Sequence, residues 1–370
     1  MSHNLSSEAL AVAHQQDADA KAHMQQGLAL LEANMPASLR DAVECFNAAI
    51  ALRKQLPLAA NPWFRYGLIA GWLNRGDALT RLGLPVHLTE ALQSYDEALA
   101  ELCQLPMHES PLFVKRLAIA WLNRGVTLLA CDTPNATVEA AANFLEAIAA
   151  AKNFAAPAPE EGRALLAGAW ANRSNALIRL DPPDLPAART AAKEALKLTA
   201  SRERIEAAGA ELTFKALHVL CQALAGLLAS PEFSAGARDE FLAEATDTVD
   251  QGLALARHWQ ARGETRFAAA TGELFRFGCK AYQLYQPHFL TEFLLENLDP
   301  AHSPDALTTN PALHANALEA LWHSLAELQR DGFKAMNTPQ YEKMLEQLQD
   351  LRVTGARLSE LSRTLGAKEL

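Results

Sequence analysis

The chain has 370 residues, a formal net charge of −10 at neutral pH, and a composition that is 50% hydrophobic but only 7% aromatic. Since non-specific nucleic-acid binding depends on clustered positive charge, this balance argues against a nucleic-acid partner. The hydrophobic residues are mainly Ala and Leu, which favour helices, and alternating runs of Val, Ile and Thr are missing. We therefore expect an all-α fold without a sheet.

The N-terminal residues 1–19 carry no basic stretch followed by an apolar one, so we predict no signal peptide here. We expect this segment to be either the start of the first helix or a disordered tail. The longest apolar runs, such as residues 223–229, are too short to span a bilayer, which predicts no integral membrane segment. Five scattered cysteines form no Cys-x-x-Cys pair, and this is typical of a reduced, cytoplasmic protein.

A five-residue motif recurs along the chain at a constant spacing. Trp72–Gly76 (Trp-Leu-Asn-Arg-Gly) returns 49 residues later as Trp121–Gly125, and again 49 residues later as Trp170–Ser174. A polar version, His23–Gly27, stands one period earlier. A fixed period of this size predicts a repeat architecture in which each unit packs only against its neighbours. We place four clear units and a fifth, degenerate one within residues 20–262.

The second half of each unit repeats as well. Its pattern is a small residue, an aromatic and another small residue: Ala42, Phe46 and Ala49, then Ala91, Tyr95 and Ala98, then Ala140, Phe144 and Ala147. Helical spacing of apolar residues predicts a first helix over 62–83 and a second over 87–105. Because the connections are short, the two helices of a unit should pair antiparallel. Gly76 lies on the inward face, where it would allow the next helix to come close.

The motif resembles the tetratricopeptide repeat (TPR), whose units combine Trp-x-x-Leu-Gly-x-x-Tyr with Ala-x-x-x-Phe and a later Pro. This chain has Trp72-x-x-Arg75-Gly76-x-x-Leu79, followed by Ala91-x-x-x-Tyr95. The likeness covers about residues 20–255, but the TPR unit has about 34 residues. The stretch 49–54 is similar to the long second helix of kinesin-light-chain-type repeats. Arg75 and its equivalents stand where the family usually has a buried Leu.

The resemblance implies an antiparallel helix-pair solenoid, a right-handed superhelix, with a C-terminal helical cap. It implies a protein-interaction scaffold without catalytic activity, in which Asn, Lys and Arg of the first helices bind a peptide or helix in a concave groove. Because fold alone does not determine function, this remains an expectation from likeness.

Two columns of polar side chains are the candidate partner-binding site, since equivalent positions of a solenoid stack on one surface. An Asn can bond both groups of a peptide backbone, and an Arg can hold a carboxylate with two hydrogen bonds. The same residues could instead tie neighbouring repeats together, the arginines by pairing with acids such as Asp96 or Glu139. The columns comprise Asn74, Asn123 and Asn172, and Arg75, Arg124 and Arg173; further groove candidates are Asp77, Arg81, Asn175 and Arg179.

Residues 263–370 carry helices that lack the repeat motif. We predict helices over 263–285, 288–298, 311–330 and 338–365, the last with Tyr341, Met344, Leu345, Leu348 and Leu351 facing inward. A solenoid needs an atypical end with a polar outer face, so capping is the expected role of this region. Dimerisation through the last helix is the alternative.

Motifs for phosphate binding, nucleophilic catalysis or metal binding are missing from the sequence, so we expect no enzyme, no metal site and no cofactor. We interpret the chain as a cytoplasmic adaptor for a protein or peptide partner with acidic groups. Two alternatives stay open: a peptide-sensing regulator, and an adaptor that links a cytoskeletal polymer to cargo or membrane. The sequence leaves the oligomeric state open.

Overall fold

The structure is a computed structural model that describes residues 7–155, 159–200, 206–285 and 289–301, positions 307, 313, 315, 317–319, 321–323 and 326, and residues 349–361 and 363. These residues form helices and no strand, which confirms the predicted all-α class. The helices are α1 Ser7–Ala33, α2 Pro36–Lys54, α3 Pro62–Leu82, α4 Pro85–Leu102, α5 Pro111–Ala130, α6 Pro134–Ala155, α7 Pro159–Ile178, α8 Leu185–Thr199, α9 Ala207–Ala229, α10 Ala235–Gln260, α11 Ala268–Tyr285 and α12 Leu290–Leu298.

Prolines open the helices of the repeats, where a missing backbone N–H costs no hydrogen bond. Pro36, Pro85 and Pro134 are the first residues of α2, α4 and α6, and so belong to the second helices rather than to the turns before them. At the end of α3, Gly83 takes the left-handed conformation with a φ of 73°, and its N–H donates to Leu79 O. The turn between α3 and α4 is therefore two residues long, which forces an antiparallel pair.

Consecutive helices pack against each other from α1 to α7, as expected of an all-α solenoid. The first helices of the units also contact one another, α1 with α3, α3 with α5 and α5 with α7. They form one continuous layer, which we call the first-helix wall. The second helices α2, α4 and α6 pack behind it. The repeated motif residues of α3, α5 and α7 thus belong to a single wall.

An aromatic ring of the second helix lies against a glycine of the first helix in three successive units. A Cβ atom added at Gly27, Gly76 or Gly125 would lie 2.5, 2.6 and 2.6 Å from ring atoms of Phe46, Tyr95 and Phe144, respectively. Real Cβ contacts are not that short, so these positions require glycine. In the fourth unit Ser174 replaces the glycine and Ala192 replaces the ring, and both are fully buried. The larger first-helix residue is thus accompanied by a smaller second-helix residue.

The chain divides into two compact units, Met1–Leu198 and Thr199–Leu370. The residues assigned to the degenerate fifth repeat lie in the second unit, and the boundary at residue 263 between repeats and atypical C-terminal helices stays a prediction. Within that unit α10 packs against α9 and α11, and α11 packs against α12. Buried Asp299 accepts two hydrogen bonds from Arg357, at 2.9 and 3.1 Å.

The predicted last helices are described only in part. Residues 349–361 are helical, and Leu351 is buried as expected. Tyr341, Met344, Leu345 and Leu348, also predicted to face inward, lie outside the described residues.

Among the described helices, α9 alone is long and apolar enough to cross a membrane by length and composition. Of its most apolar stretch, 61% is buried inside the structure. The neighbours that cover it include α10 and α11. This is the burial expected of a core helix, so the length and composition of α9 are weak grounds for a membrane span.

Candidate partner-binding site

The three asparagines of the column differ in burial and in hydrogen bonding along the first-helix wall. Asn74 and Asn123 are half-buried, and their side-chain amides form no hydrogen bond in the described part of the chain. Asn172 is buried, and its Nδ2 donates to the carbonyl oxygen of Gly168, one turn earlier in α7, at 2.8 Å. Two of the three amides can therefore still offer both a donor and an acceptor to a ligand.

Arg75 joins three helices. Its Nε donates to Asn47 Oδ1 on α2 at 2.8 Å. Its two terminal nitrogens donate to Ser94 Oγ at 2.6 Å and to Glu90 Oε2 at 3.0 Å, both on α4. The guanidinium thus connects its own helix α3 to the preceding helix and to the second helix of its own unit.

Arg124 repeats this arrangement one period later. Its Nε donates to Asp96 Oδ1 at 2.8 Å, and its Nη1 donates to Glu139 Oε1 at 2.5 Å. These acids stand 49 residues after the partners of Arg75, so the contact repeats with the sequence. Burial by itself would lower the pKa of Arg124, but the hydrogen bonds from the guanidinium to Glu139 and Asp96 outweigh it, so the pKa is raised. We call this contact of one arginine with two neighbouring helices the arginine clamp.

Arg173 has lost both partners of the clamp. Leu145 stands at the position of Asp96, and Ala188 stands at the position of Glu139. Arg173 Nε is buried without a hydrogen-bond partner, and the guanidinium carbon lies 5.5 Å from the centre of the Trp170 ring. Burial lowers the pKa of Arg173, although the charge of Asp184 acts in the opposite direction. The third clamp position is therefore occupied by a cation without a carboxylate of its own.

Of the four further groove candidates, two pair with each other on one helix, one pairs with a residue of the neighbouring unit, and one has no side-chain hydrogen bond among the described residues. Arg81 forms two hydrogen bonds with Asp77 on the same helix, at 3.0 and 2.9 Å. Arg179 pairs with the exposed Asp132 at the end of α5. Asn175 is half-buried. The Asp77–Arg81 pair neutralises itself, so this part of the wall has no excess charge.

The tryptophans of the motif are only partly buried, although their spacing predicts core positions. Trp72 and Trp170 pack against apolar clusters, and each is also covered by a lysine. Lys54 Nζ lies 4.7 Å from the centre of Trp72, and Lys152 Nζ lies 5.9 Å from that of Trp170. Sequence reasoning missed these cations, although the two lysines stand two full periods apart.

Comparison with known proteins adds no assignment. The chain matches no protein-family model, and no curated protein is significantly similar to it in sequence. Within the part of the chain that the structure describes, no group of three His, Cys, Asp or Glu side chains could hold a metal ion. The geometry of the first-helix wall is therefore the basis for the function proposed below.

Proposed function

We propose that this protein is a TPR-like interaction scaffold that binds an extended, acidic segment of a partner protein along the first-helix wall. The repeated helix pairs support this proposal, because a continuous wall of equivalent helices offers equivalent side chains at regular intervals. Repeat proteins of this architecture use such surfaces for extended ligands.

The two kinds of free polar groups have different roles in this proposal. Asn74 and Asn123 each offer a donor and an acceptor, which matches the C=O and N–H of an extended backbone. Arg173 takes an acidic side chain of the partner. A guanidinium that is partly buried without hydrogen bonds is costly, and a carboxylate placed there would remove this cost.

The observation that carries the proposal is the contrast within the arginine column. Arg75 and Arg124 use their hydrogen bonds on residues of this chain, whereas Arg173, at the equivalent position, has no hydrogen-bond partner among the residues that the structure describes. At the first two positions the chain itself supplies the acceptors that a partner would supply at the third. This makes Arg173 the member of the column best suited to an acidic ligand.

A peptide-display selection against the whole protein tests the proposal. We expect selected peptides to be enriched in Asp and Glu. In calorimetric titrations, Arg173→Gln should lower the affinity for these peptides by roughly tenfold to a hundredfold. Asn74→Ala combined with Asn123→Ala should lower the affinity for peptides irrespective of their charge. Lys197→Gln, which removes an exposed cation from α8, is the matched control and should leave affinity unchanged.

Two results would contradict the proposal. One is the selection of peptides without acidic residues. The other is equal affinity of the acidic peptides for wild type and for Arg173→Gln, which would place binding on another surface.

A further inference from the structure

A cavity of about 430 Å³ lies between α1 and α3, away from the arginine column. Its volume is within the range of small-molecule sites, which is roughly 300–1,000 Å³. We call it the α1–α3 cavity. Its lining combines aromatic side chains with two cations and one carboxylate: His14, Asp17 and Lys21 of α1, Arg53 of α2, and Trp63 and Tyr66 of α3.

Arg53 is the buried cation of this cavity and is only 4% exposed. Its Nε donates to Asp17 Oδ1 at 3.3 Å, and its Nη1 donates to the carbonyl oxygen of Gly67 at 2.7 Å. The other terminal nitrogen, Nη2, forms no hydrogen bond with the residues that the structure describes. Burial lowers the pKa of Arg53, and the nearby Asp17 acts in the opposite direction. The guanidinium is therefore held firmly and keeps one nitrogen for a ligand.

The charge around Arg53 is not balanced. Asp17 also forms an ion pair with Lys21 Nζ at 2.8 Å, so one carboxylate serves two cations. A third cation, Arg116, lies with its guanidinium carbon 4.9 Å from the centre of the Tyr66 ring, which lines the cavity. The site therefore carries an excess of positive charge in a partly desolvated place, and this favours an anionic ligand.

The aromatic side of the cavity is rigid and open. Trp63 is 50% exposed, and its ring lies 5.3 Å from those of both Tyr66 and Phe113. These contacts hold an exposed indole in place without covering it. Such a surface suits a flat apolar group, because aromatic stacking adds to area burial.

The charged residues of this cavity have no charged equivalents at the same positions of the next unit. One period later the positions of Asp17, Lys21 and Arg53 are occupied by residues without charge: Tyr66, Ala70 and Leu102. The unit of α3 and α4 instead carries the Arg65–Glu101 ion pair, one residue before the equivalents of Asp17 and Arg53. Arg53 links α2 to α1 and α3 through Asp17 and Gly67, and the leucine at the equivalent position 102 shows that a cation at this place is particular to the first unit.

We propose that the α1–α3 cavity binds a small aromatic carboxylic acid, with the carboxylate on Arg53 and Lys21 and the ring on Trp63. This inference is independent of partner binding at the first-helix wall. The same ligand chemistry is found in a free acid and in the C-terminal residue of a peptide that ends in Phe, and the experiment separates the two.

The test is calorimetric titration of the whole protein with 3-phenylpropanoate, its neutral amide, and acetyl-Gly-Gly-Phe. We expect the free acid to bind at least tenfold more tightly than the amide. Arg53→Leu, which copies the residue of the next repeat, should remove that preference. Arg65→Leu removes a cation of α3 that pairs with Glu101 and does not line the cavity, and it should leave affinity unchanged.

Trp63→Ala provides a second variant that does not depend on the buried arginine. Because Trp63 is half exposed, its replacement should preserve the fold and still lower the affinity for the free acid severalfold. Tighter binding of the peptide than of the free acid would identify a peptide terminus as the source of the carboxylate and overturn the assignment to a free acid. Equal binding of acid and amide, or no binding at about 10 mM ligand, would overturn the proposal.

Discussion

The Tyr95 ring lies directly over Gly76, and a methyl group at Gly76 would stand 2.6 Å from Tyr95 Cζ. The same contact joins Gly27 to Phe46 and Gly125 to Phe144, so it repeats with the motif. The separation between the first and second helix of each of these units is therefore tied to the missing side chain.

We expect Gly76→Ala to lower the free energy of unfolding by about 1–3 kcal/mol, because the new methyl must displace the buried ring. Gly168→Ala is the matched control, since a Cβ there would have its nearest neighbour at 4.0 Å. The control should be neutral or stabilise by up to about 1 kcal/mol, as alanine favours helix. Urea denaturation measures both, and equal behaviour of the two variants would contradict the close contact.

The arginine clamp predicts unequal effects at equivalent positions. Arg75→Ala should lower the free energy of unfolding by about 1–3 kcal/mol, because it removes hydrogen bonds to α2 and α4, including one to the fully buried Ser94. Arg173→Ala should leave stability unchanged or slightly higher, because no hydrogen bond is lost and a partly buried cation is removed. Thermal melting of the two variants checks this. A larger fall in melting temperature for Arg173→Ala than for Arg75→Ala would contradict the conclusion that Arg173 has lost its clamp contacts.

Tyr95 differs from its repeat equivalents Phe46 and Phe144 by a hydroxyl group, and the hydroxyls of Thr80 and Thr127 are near enough to stabilise its ionised form. The two threonine hydroxyls are themselves 2.7 Å apart. Burial raises the pKa of Tyr95, which keeps the phenol neutral and able to donate. Tyr95→Phe should therefore lower the free energy of unfolding, measured by urea denaturation, by about 0.5–1.5 kcal/mol.

The neighbouring repeats suggest the matching compensation for this change. They carry leucine at the position of Thr80 and alanine at the position of Thr127. Adding Thr80→Leu and Thr127→Ala to Tyr95→Phe should recover part of the loss, since the ring is then surrounded by the residues that accompany phenylalanine in the neighbouring repeats. A triple variant that is less stable than Tyr95→Phe alone would show that the hydroxyls do not act as a set.

The cysteines should differ in reactivity towards iodoacetamide. Cys103 is exposed, whereas Cys221 and Cys279 are buried, and burial raises the pKa of both buried thiols. Because the thiolate is the reactive form, a higher pKa together with burial should protect Cys221 and Cys279 at mildly alkaline pH. Mass spectrometry should find native protein labelled at Cys103, and the other two only after denaturation. Labelling of Cys279 in the native protein would contradict its burial.

The helix pairs could be predicted from the sequence because their determinants are local. The 49-residue period and the helical spacing of the apolar residues are both visible in the sequence, whereas the place of Pro36, Pro85 and Pro134 as first residues of the second helices became visible in the structure. The all-α class and the antiparallel pairing follow from them. The close approach at Gly76 could likewise be predicted, since it needs only the helical register and the size of the residues.

The roles of the polar columns depended on the tertiary structure. Asn47, Glu90 and Asp96 stand many residues from the arginines that they bond, and only the distance and rotation between packed helices bring them together. The loss of the acids at positions 145 and 188 can be read from the 49-residue period, but the burial of Arg173 Nε without a partner needed the placed helices.

The sequence by itself thus determined the repeat, the helices and the residues that share a wall, since helical periodicity and steric size act within short stretches. The tertiary structure decided which polar groups are satisfied, where the chain divides into units, and that Arg53 lines a cavity. These outcomes depend on contacts between distant segments, whose hydrogen bonds and burial are set by packing geometry.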